Sequence, residues 1–393
     1  MNNVEYKTEN SDIIIFLSGR MDSTNAEEYE AEIRKALGPA EYTSVTVDAE
    51  NLSYISSAGL RVMLRLCKSE KDFQIVNASA EVYEIFEMTG FTEIMTVKKA
   101  YRRISVDGCK VIGTGATGEV YRLNDEIIVK VYNESNALSD IHRERELARK
   151  AFVLGIPTAI PFDVVRVGDK FGSVFELLKA KSLGEMIIEN PEKLDSYIDL
   201  SVGLMKTIHS TEDSNCDLPS IKDRVISLSD YLENCLPKEK SEKFRKMAEA
   251  IPDITNMVHG DLHIKNIMVQ DGELILIDMD TLSHGHPVFE FAALFNAYIG
   301  YSEIDKNNTL EFFGISYETG ERIFSETLRR YLGTDDEAYI STVFDKIRLL
   351  GYAFLYRDFT CSGEKPVGDE KRRVEAYMNH ILTLLDTVDS FEF

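Results

Sequence analysis

The chain has 393 residues, 44% of them hydrophobic and 28% charged, with a formal net charge of −23. That length exceeds what one core organises and predicts two or three globular folding units. Acidic residues outnumber basic ones before residue 100 (17 against 10) and after it (50 against 34); with no long basic block, nucleic acid and anionic membrane surfaces are excluded as main partners, while cationic small molecules, neutral substrates and proteins stay open.

In the first hundred residues short apolar runs alternate with helical patterns. DIIIFLSG (12–19) reads as a buried strand. STNAEEYEAEIRKALG (23–38) reads as a helix, with a Ser/Thr cap, early glutamates and a terminal glycine. TSVTVDAE (43–50) is a second buried strand and SSAGLRVMLRLCKSEKD (56–72) a helix entered through two serines. FQIVNAS (73–79) is a strand, EVYEIFEMTG (81–90) a helix and FTEIMTV (91–97) a last strand. This alternation predicts a small α/β unit with a partly parallel sheet.

The pattern then changes. RISVDGCKVIGTG, GEVYRLND and EIIVKVYN (103–133) predict an antiparallel meander, followed by a helix over 139–155 and the strands FDVVRVGDK and FGSVFELLK. From about residue 182 the chain reads as helical, interrupted by IMVQDGELILID (267–278). TEDSNCDLPSIK (211–222) is the most loop-like stretch and reads as a mobile insertion. Cys67, Cys109, Cys216, Cys235 and Cys361 are odd in number and lack zinc-ligand spacing, which predicts reduced thiols in a cytoplasm. The N-terminus is unlike a signal peptide, and no run approaches the roughly eighteen apolar residues of a membrane span.

Four features of phosphate chemistry follow residue 103 in order. In GTGATGEVY, Gly113, Gly115 and Gly118 would let backbone N–H groups approach phosphate oxygens; taken alone, the three glycines are explained equally well by a flexible hairpin turn. A dinucleotide fingerprint is excluded, because a strand follows where that motif needs a helix. Lys130 lies in the apolar run IIVKVY, facing solvent or held between phosphates and a carboxylate of the next helix. Glu144 and Glu146 are the candidates, and Glu144 is preferred because it shares a helix side with Ile141 and Ala148. In HGDLHIKN (259–266), Asp261 can orient a hydroxyl and take its proton while Asn266 binds a metal. Asp278 closes the apolar run ILID, where Mg²⁺ is a natural partner. Turn capping explains either acidic motif alone, but not all four features in this order.

Residues 103–393, above all HGDLHIKN and ILIDMD, resemble the aminoglycoside phosphotransferase and choline kinase-like family, relatives of protein kinases. The resemblance implies a bilobal fold with a β-rich N-lobe and a helical C-lobe. It implies Asp261 as catalytic base, Asn266 and Asp278 as Mg²⁺ ligands, and Lys130 with Glu144 on the α- and β-phosphates of ATP, GTP being left open as donor. The Gly113–Gly118 loop would cover the phosphates, and Phe175–Leu178, including Glu176 and Leu178, would hold adenine by backbone bonds. Ile264-Lys265 stand where the family often has Pro-Gly, which implies different contacts near the acceptor. His263 stands where protein kinases carry lysine, Met279-Asp280 replace Phe-Gly, and there is no Ala-Pro-Glu segment, so a small-molecule hydroxyl is favoured over a protein as acceptor. Asp280 reads as a turn cap before a second metal site, His209 as a packing histidine, and His284 and His286 as solvated loop histidines before a metal pair.

Residues 44–64, SVTVDAENLSYISSAGLRVML, resemble the STAS domain of bacterial anti-sigma factor antagonists. There a serine inside Asp-Ser-Ser/Thr-Gly accepts phosphate from a partner kinase. Ser57 occupies that place, with Ser56 where the Asp stands and Ala58 before Gly59; plain helix capping by the two serines is the alternative. The expected order is therefore a small STAS-like α/β domain (1–99), a kinase-like N-lobe (100–180) and a helical C-lobe (181–393), joined after the first domain by a linker at about Lys98–Arg103. The resulting expectation is a cytoplasmic, ATP- and Mg²⁺-dependent phosphotransferase acting on a small hydroxylated molecule, its leading domain regulating it or docking a protein. A regulatory protein kinase or nucleotide switch, with Ser57 or a partner's serine as acceptor, is the competing expectation.

Overall fold

VEYKTE, too polar to stand out as a strand, is β1 (Val4–Glu9) and pairs antiparallel with β2 (Asp12–Met21). Then come α1 (Ala26–Leu37), β3 (Ser44–Ile55), α2 (Ser57–Ser69), β4 (Phe73–Ala78), α3 (Ala80–Met88) and β5 (Thr96–Lys99). The sheet order is β1-β2-β3-β4-β5, parallel from β2 onward. β2 is half-buried where a fully buried strand was expected: Ile13, Ile15 and Leu17 face the core and the residues between them do not. Each buried aliphatic of this kind stabilises the fold by about 1.5–3 kcal/mol. Helix α1 starts later than expected, because Asn25 turns its side chain onto the Asp22 N–H (2.8 Å) and Asp22 takes up Thr24 (2.6 Å). FTEIMTV is not one strand: Gly90, at φ 73°, opens a 3-10 turn over Phe91–Glu93, and only Thr96–Lys99 is extended.

The computed structural model describes residues 3–9, 11–38, 42–115, 117–133, 138–215, 217–363 and 366–393. The chain divides into two compact units, Met1–Ser105 with Val165–Asp169, and Val106–Val164 with Lys170–Phe393. The stretch expected as a linker is instead β5 and β6 (Arg102–Ile104). RISVDGCKVIGTG, expected as one strand, is split by a turn at Gly108 into β6 and β7 (Lys110–Gly115).

After β7 come β8 (Gly118–Arg122), β9 (Ile127–Tyr132), α4 (Leu138–Val153), β10 (Pro161–Val167, whose last three residues count with the first unit) and β11 (Lys170–Glu176). Their strands order as β10-β11-β9-β8-β7, with β7-β8-β9 an antiparallel meander. Next come β12 (Lys181–Ser182), α5 (Leu183–Glu189), α6 (Leu194–Ser210), α7 (Ile221–Glu233), α8 (Lys238–Ala250), β13 (Met257–Val258), β14 (Ile267–Gln270), β15 (Glu273–Leu276) and β16 (Ser283–His284). The unit closes with α9 (Val288–Tyr298), α10 (Asn307–Phe313), α11 (Tyr317–Leu332), α12 (Glu337–Thr360) and α13 (Gly368–Leu384). A sheet-rich lobe followed by a helical one is the bilobal arrangement expected. Apart from Glu290 and Asn296, VFEFAALFNAY is apolar, so α9 sits at the centre of the helical part, with Phe291, Ala292 and Phe295 fully buried.

The stretch 211–222, expected as a mobile insertion, is tied down: Asp213 N–H donates to the Thr255 carbonyl (2.8 Å) and its carboxylate takes the Leu218 N–H (2.6 Å). Cys67, Cys109, Cys235 and Cys361 are free thiols, while Cys216, and Ala116 of the glycine-rich turn, lie outside the described residues. Among the described residues no helix is long and apolar enough to cross a membrane.

Candidate active site

HGDLHIKN leaves β13 as a loop that the sequence alone does not position. Glu290, an ionisable residue fully buried in α9, accepts the N–H groups of His259 (2.7 Å), Gly260 (3.1 Å) and Leu262 (3.2 Å). Burial, the largest influence on Glu290, works against its charge. His209 (Nε2 3.6 Å away), His259 and the Gly260 N–H outweigh it, and its pKa lies below the ordinary carboxylate range. The motifs did not point to Glu290; a lone carboxylate in an otherwise apolar helix is the signal that could have found it. Gly260 sits at φ 80°, so this tight loop favours glycine there. Ile264 is buried, its N–H donating to the Tyr298 hydroxyl (3.0 Å) and its carbonyl accepting from Gly184 (3.0 Å). It is a structural anchor, and the ammonium of its neighbour Lys265 lies 4.3 Å over the Phe312 ring.

The loop so held presents Asp261. Asn266 Nδ2 donates to the Asp261 carboxylate (2.9 Å) and main-chain carbonyl (3.0 Å), and His263 Nε2 stands 3.5 Å from that carboxylate. The Asp261 side chain keeps 39% exposure into a cavity. Even so, the surrounding protein, then Asp278, Asp280 and Glu290, push its pKa up to about 7. Burial lowers His263 to about 4, so its ring is neutral at neutral pH, packed edge-on to Phe312 and Phe313.

Asp278 follows β15 in the left-handed region, at φ 64°, a strained backbone of the kind that clusters at functional sites. Its carboxylate stands 3.0 Å from Lys130 Nζ, which is 2.8 Å from Glu144. Tyr132 donates its hydroxyl to the other Glu144 oxygen (2.9 Å). Burial, the largest influence on Lys130, opposes its charge, but Glu144 and Asp278 outweigh it and raise the pKa. Glu146 is turned away, paired with Arg149 (3.0 Å). The structure thus brings Lys130, Glu144 and Asp278 into one cluster, and Asp261 and Asn266 into another linked to it electrostatically through Asp278.

Gly113, Gly115 and Gly118 lie on the β7–β8 hairpin, where Gly115 pairs with Gly118. A Cβ on Gly118 would meet the Val131 carbonyl oxygen at 2.0 Å, whereas at Gly115 it would meet open space. Glu176, at the end of β11, accepts the Ile160 N–H on its side chain (3.0 Å), so that carboxylate is spent on the fold; Leu178 follows two residues on, in the loop before β12.

Several expectations are corrected. Asp280 accepts no hydrogen bond among the described residues, so it caps no turn; burial, then Asp278 and Glu144, push it up to about 6. His284 and His286 are buried, not solvated: His284 Nδ1 lies 3.0 Å from the Ile254 carbonyl, and His286 Nδ1 accepts the Val288 N–H (3.2 Å). His209, expected to pack, is buried with its Nδ1 2.9 Å from the Tyr331 hydroxyl, so that expectation needs no correction. In the first unit Ser57 is the exposed first residue of α2, while the Ser56 hydroxyl is buried and makes no cap bond. Side-chain capping therefore does not account for the pair.

Comparison with known proteins follows the two units. The profile of the phosphotransferase enzyme family (APH) matches residues 108–323, and that of the STAS domain residues 3–104. BtrV of Bordetella bronchiseptica, assigned as an anti-sigma factor antagonist, is 38% identical over 89 residues, 22% of this chain and 76% of BtrV. Among solved structures, the streptomycin–ATP–APH(2″)-IIa ternary complex is 18% identical over 72% of this chain and 93% of that one, with a TM-score of 0.46. The anti-sigma factor antagonist SpoIIAA in its unphosphorylated form is 21% identical over 24% of this chain and 86% of its own, with a TM-score of 0.21. With more than half of its length matched, the chain belongs to the phosphotransferase enzyme family and carries a STAS domain ahead of the phosphotransferase region.

Proposed function

We propose that this phosphotransferase moves the γ-phosphoryl group of ATP, with Mg²⁺, onto a hydroxyl of a small molecule. The observation that carries this reading is the convergence of Lys130, Glu144 and Asp278 with the Asp261–Asn266 pair. Lys130, fixed by Glu144, would hold the α- and β-phosphates, with the Gly113–Gly118 hairpin over them and the backbone of Glu176 and Leu178 beside the adenine. Asp261 would orient the acceptor hydroxyl and take its proton.

The residues present fit a divalent cation. Burial, and after it the charge of Asp278, raise the pKa values of Asp261 and Asp280, and Asn266 spends its Nδ2 on Asp261, leaving Oδ1 for a cation. Asp278 and Asn266 would hold the Mg²⁺, whose chemistry when bound is to neutralise phosphate charge. The test is to incubate full-length protein with Mg²⁺ and γ-labelled ATP without acceptor, recording free phosphate and intact mass. Slow phosphate release that Asp261→Asn abolishes, with unchanged mass, is expected; release indifferent to Asp261→Asn refutes the reading.

A second reading rests on the exposed Ser57 at the start of α2. There the protein is a regulatory kinase whose acceptor is Ser57 or a partner's serine, and the STAS domain docks that partner. A phosphate on the protein that both Asp261→Asn and Ser57→Ala abolish would establish it.

A further inference from the structure

Asp261 borders a cavity of about 770 Å³, a size that takes a metabolite. Phe289, Phe312, Phe354 and Tyr301 give it apolar walls. Three arginines from three helices also line it: Arg224 of α7, Arg357 of α12 and Arg373 of α13. Set against the three carboxylates of the lining, Asp261, Glu311 and Asp358, they leave it formally neutral in a chain of net charge −23.

The acidic side chains there are already engaged. Asp358 accepts from its sequence neighbour Arg357 (3.1 Å), and Glu311 from Asn307 one turn earlier in α10 (2.6 Å). Arg373 donates to the Tyr301 carbonyl (2.8 Å), a partner without charge. Arg224 has no hydrogen bond or ion pair among the described residues. The surrounding protein, then the neighbouring Arg357, lower its pKa, while Asp358 and Asp280 act the other way. An exposed guanidinium without a partner of its own, lying near a second guanidinium, is a fork of donors open to an anion.

We propose that the acceptor is an anionic hydroxy compound, its carboxylate or phosphate held by Arg224, Arg357 and Arg373 while its hydroxyl reaches Asp261. This rests on the phosphotransfer reading above. In the transfer, the hydroxyl oxygen forms the new bond to the γ-phosphorus and its proton passes to Asp261. The bond from that phosphorus to the ADP oxygen breaks, its electron pair leaving on ADP.

The test needs binding, not turnover, so its failure is distinct from a failure of the phosphate-release experiment. Full-length protein with Mg²⁺ and ADP is titrated calorimetrically with glycerate, glycerol 3-phosphate, glycerol and streptomycin. One of the two anions is expected to bind saturably, at least tenfold tighter than glycerol or streptomycin; which one distinguishes a carboxylate from a phosphate acceptor. Arg224→Gln and Arg373→Gln should each weaken it at least tenfold. Arg322→Gln, at an exposed ion pair with Asp195, should not. The proposal is overturned if neither anion binds, if glycerol or streptomycin binds as tightly, or if both pocket variants keep wild-type affinity. The wild-type comparison decides even where a variant fails to fold.

Discussion

Lys130 Nζ lies 3.0 Å from Asp278, 148 positions later in the chain, and 2.8 Å from Glu144, so one ammonium ties two carboxylates of separate elements. Glu144 is buried, with a Tyr132 hydroxyl as its other donor. Removing the ammonium leaves that charge uncompensated, which costs about 3–5 kcal/mol in a buried pair. Lys130→Met should therefore lower the unfolding free energy measured in urea by an amount of that order. Lys130→Met with Glu144→Leu should recover most of the stability and none of the phosphate release. A single variant as stable as wild type would show that the pair is not a structural tie.

The order of the phosphate-site segments was readable from the residues, because loop, strand and carboxylate fall at short fixed spacings. So was the side of α4 that Glu144 occupies, since Ile141 and Ala148 bracket it on the buried face. Glu290 escaped notice because its work is on backbone N–H groups of a loop about 30 positions earlier, which no residue spacing encodes. The arginine-lined cavity was equally hidden: Arg224, Arg357 and Arg373 look like ordinary helix-surface residues until α7, α12 and α13 pack. β1 was lost for another reason. VEYKTE buries Val4 but leaves most of its side chains outward, so its strand character comes from pairing with β2.

Two glycines of the β7–β8 hairpin should behave differently. At Gly118 an added Cβ would lie 2.0 Å from the Val131 carbonyl oxygen, inside the β8–β9 pairing; at Gly115 nothing is within 4 Å. Gly118→Ala should destabilise the protein by about 1–3 kcal/mol, the usual range for overpacking, and weaken ATP binding with it. Gly115→Ala should leave the melting temperature unchanged and alter only ATP affinity. Thermal melts beside ATP titrations check this; equal melts for the two variants would contradict the close approach at Gly118.

Glu290→Gln tests the anchoring of the loop. The amide keeps the size but presents N–H groups to a site where His259, Gly260 and Leu262 all donate. An unsatisfied buried donor costs about 1–3 kcal/mol, and displacement of the Asp261 loop should add a loss of phosphate release of about 10²-fold. Unchanged release in a variant of normal melting temperature would mean that the loop holds its place without the carboxylate.

His286 links stability to pH. Its ring is buried against Phe393 (5.2 Å), its Nδ1 accepts the Val288 N–H, and burial, then His209 and Lys346, lower its pKa from 6.5 to about 4. The unfolded chain therefore takes up this proton first as pH falls. The stabilisation is fully present above about pH 6.5 and is lost on going down towards pH 4, at about 1.4 kcal/mol per unit and about 3 kcal/mol at most. Other buried histidines, such as His263, move the same way, so the difference between wild type and His286→Asn isolates this one. Asn keeps an acceptor for Val288 and carries no titrating group. Urea-unfolding midpoints between about pH 7.5 and 4.5 should fall more steeply for wild type than for the variant, and parallel curves would remove His286 from the acid sensitivity of the fold.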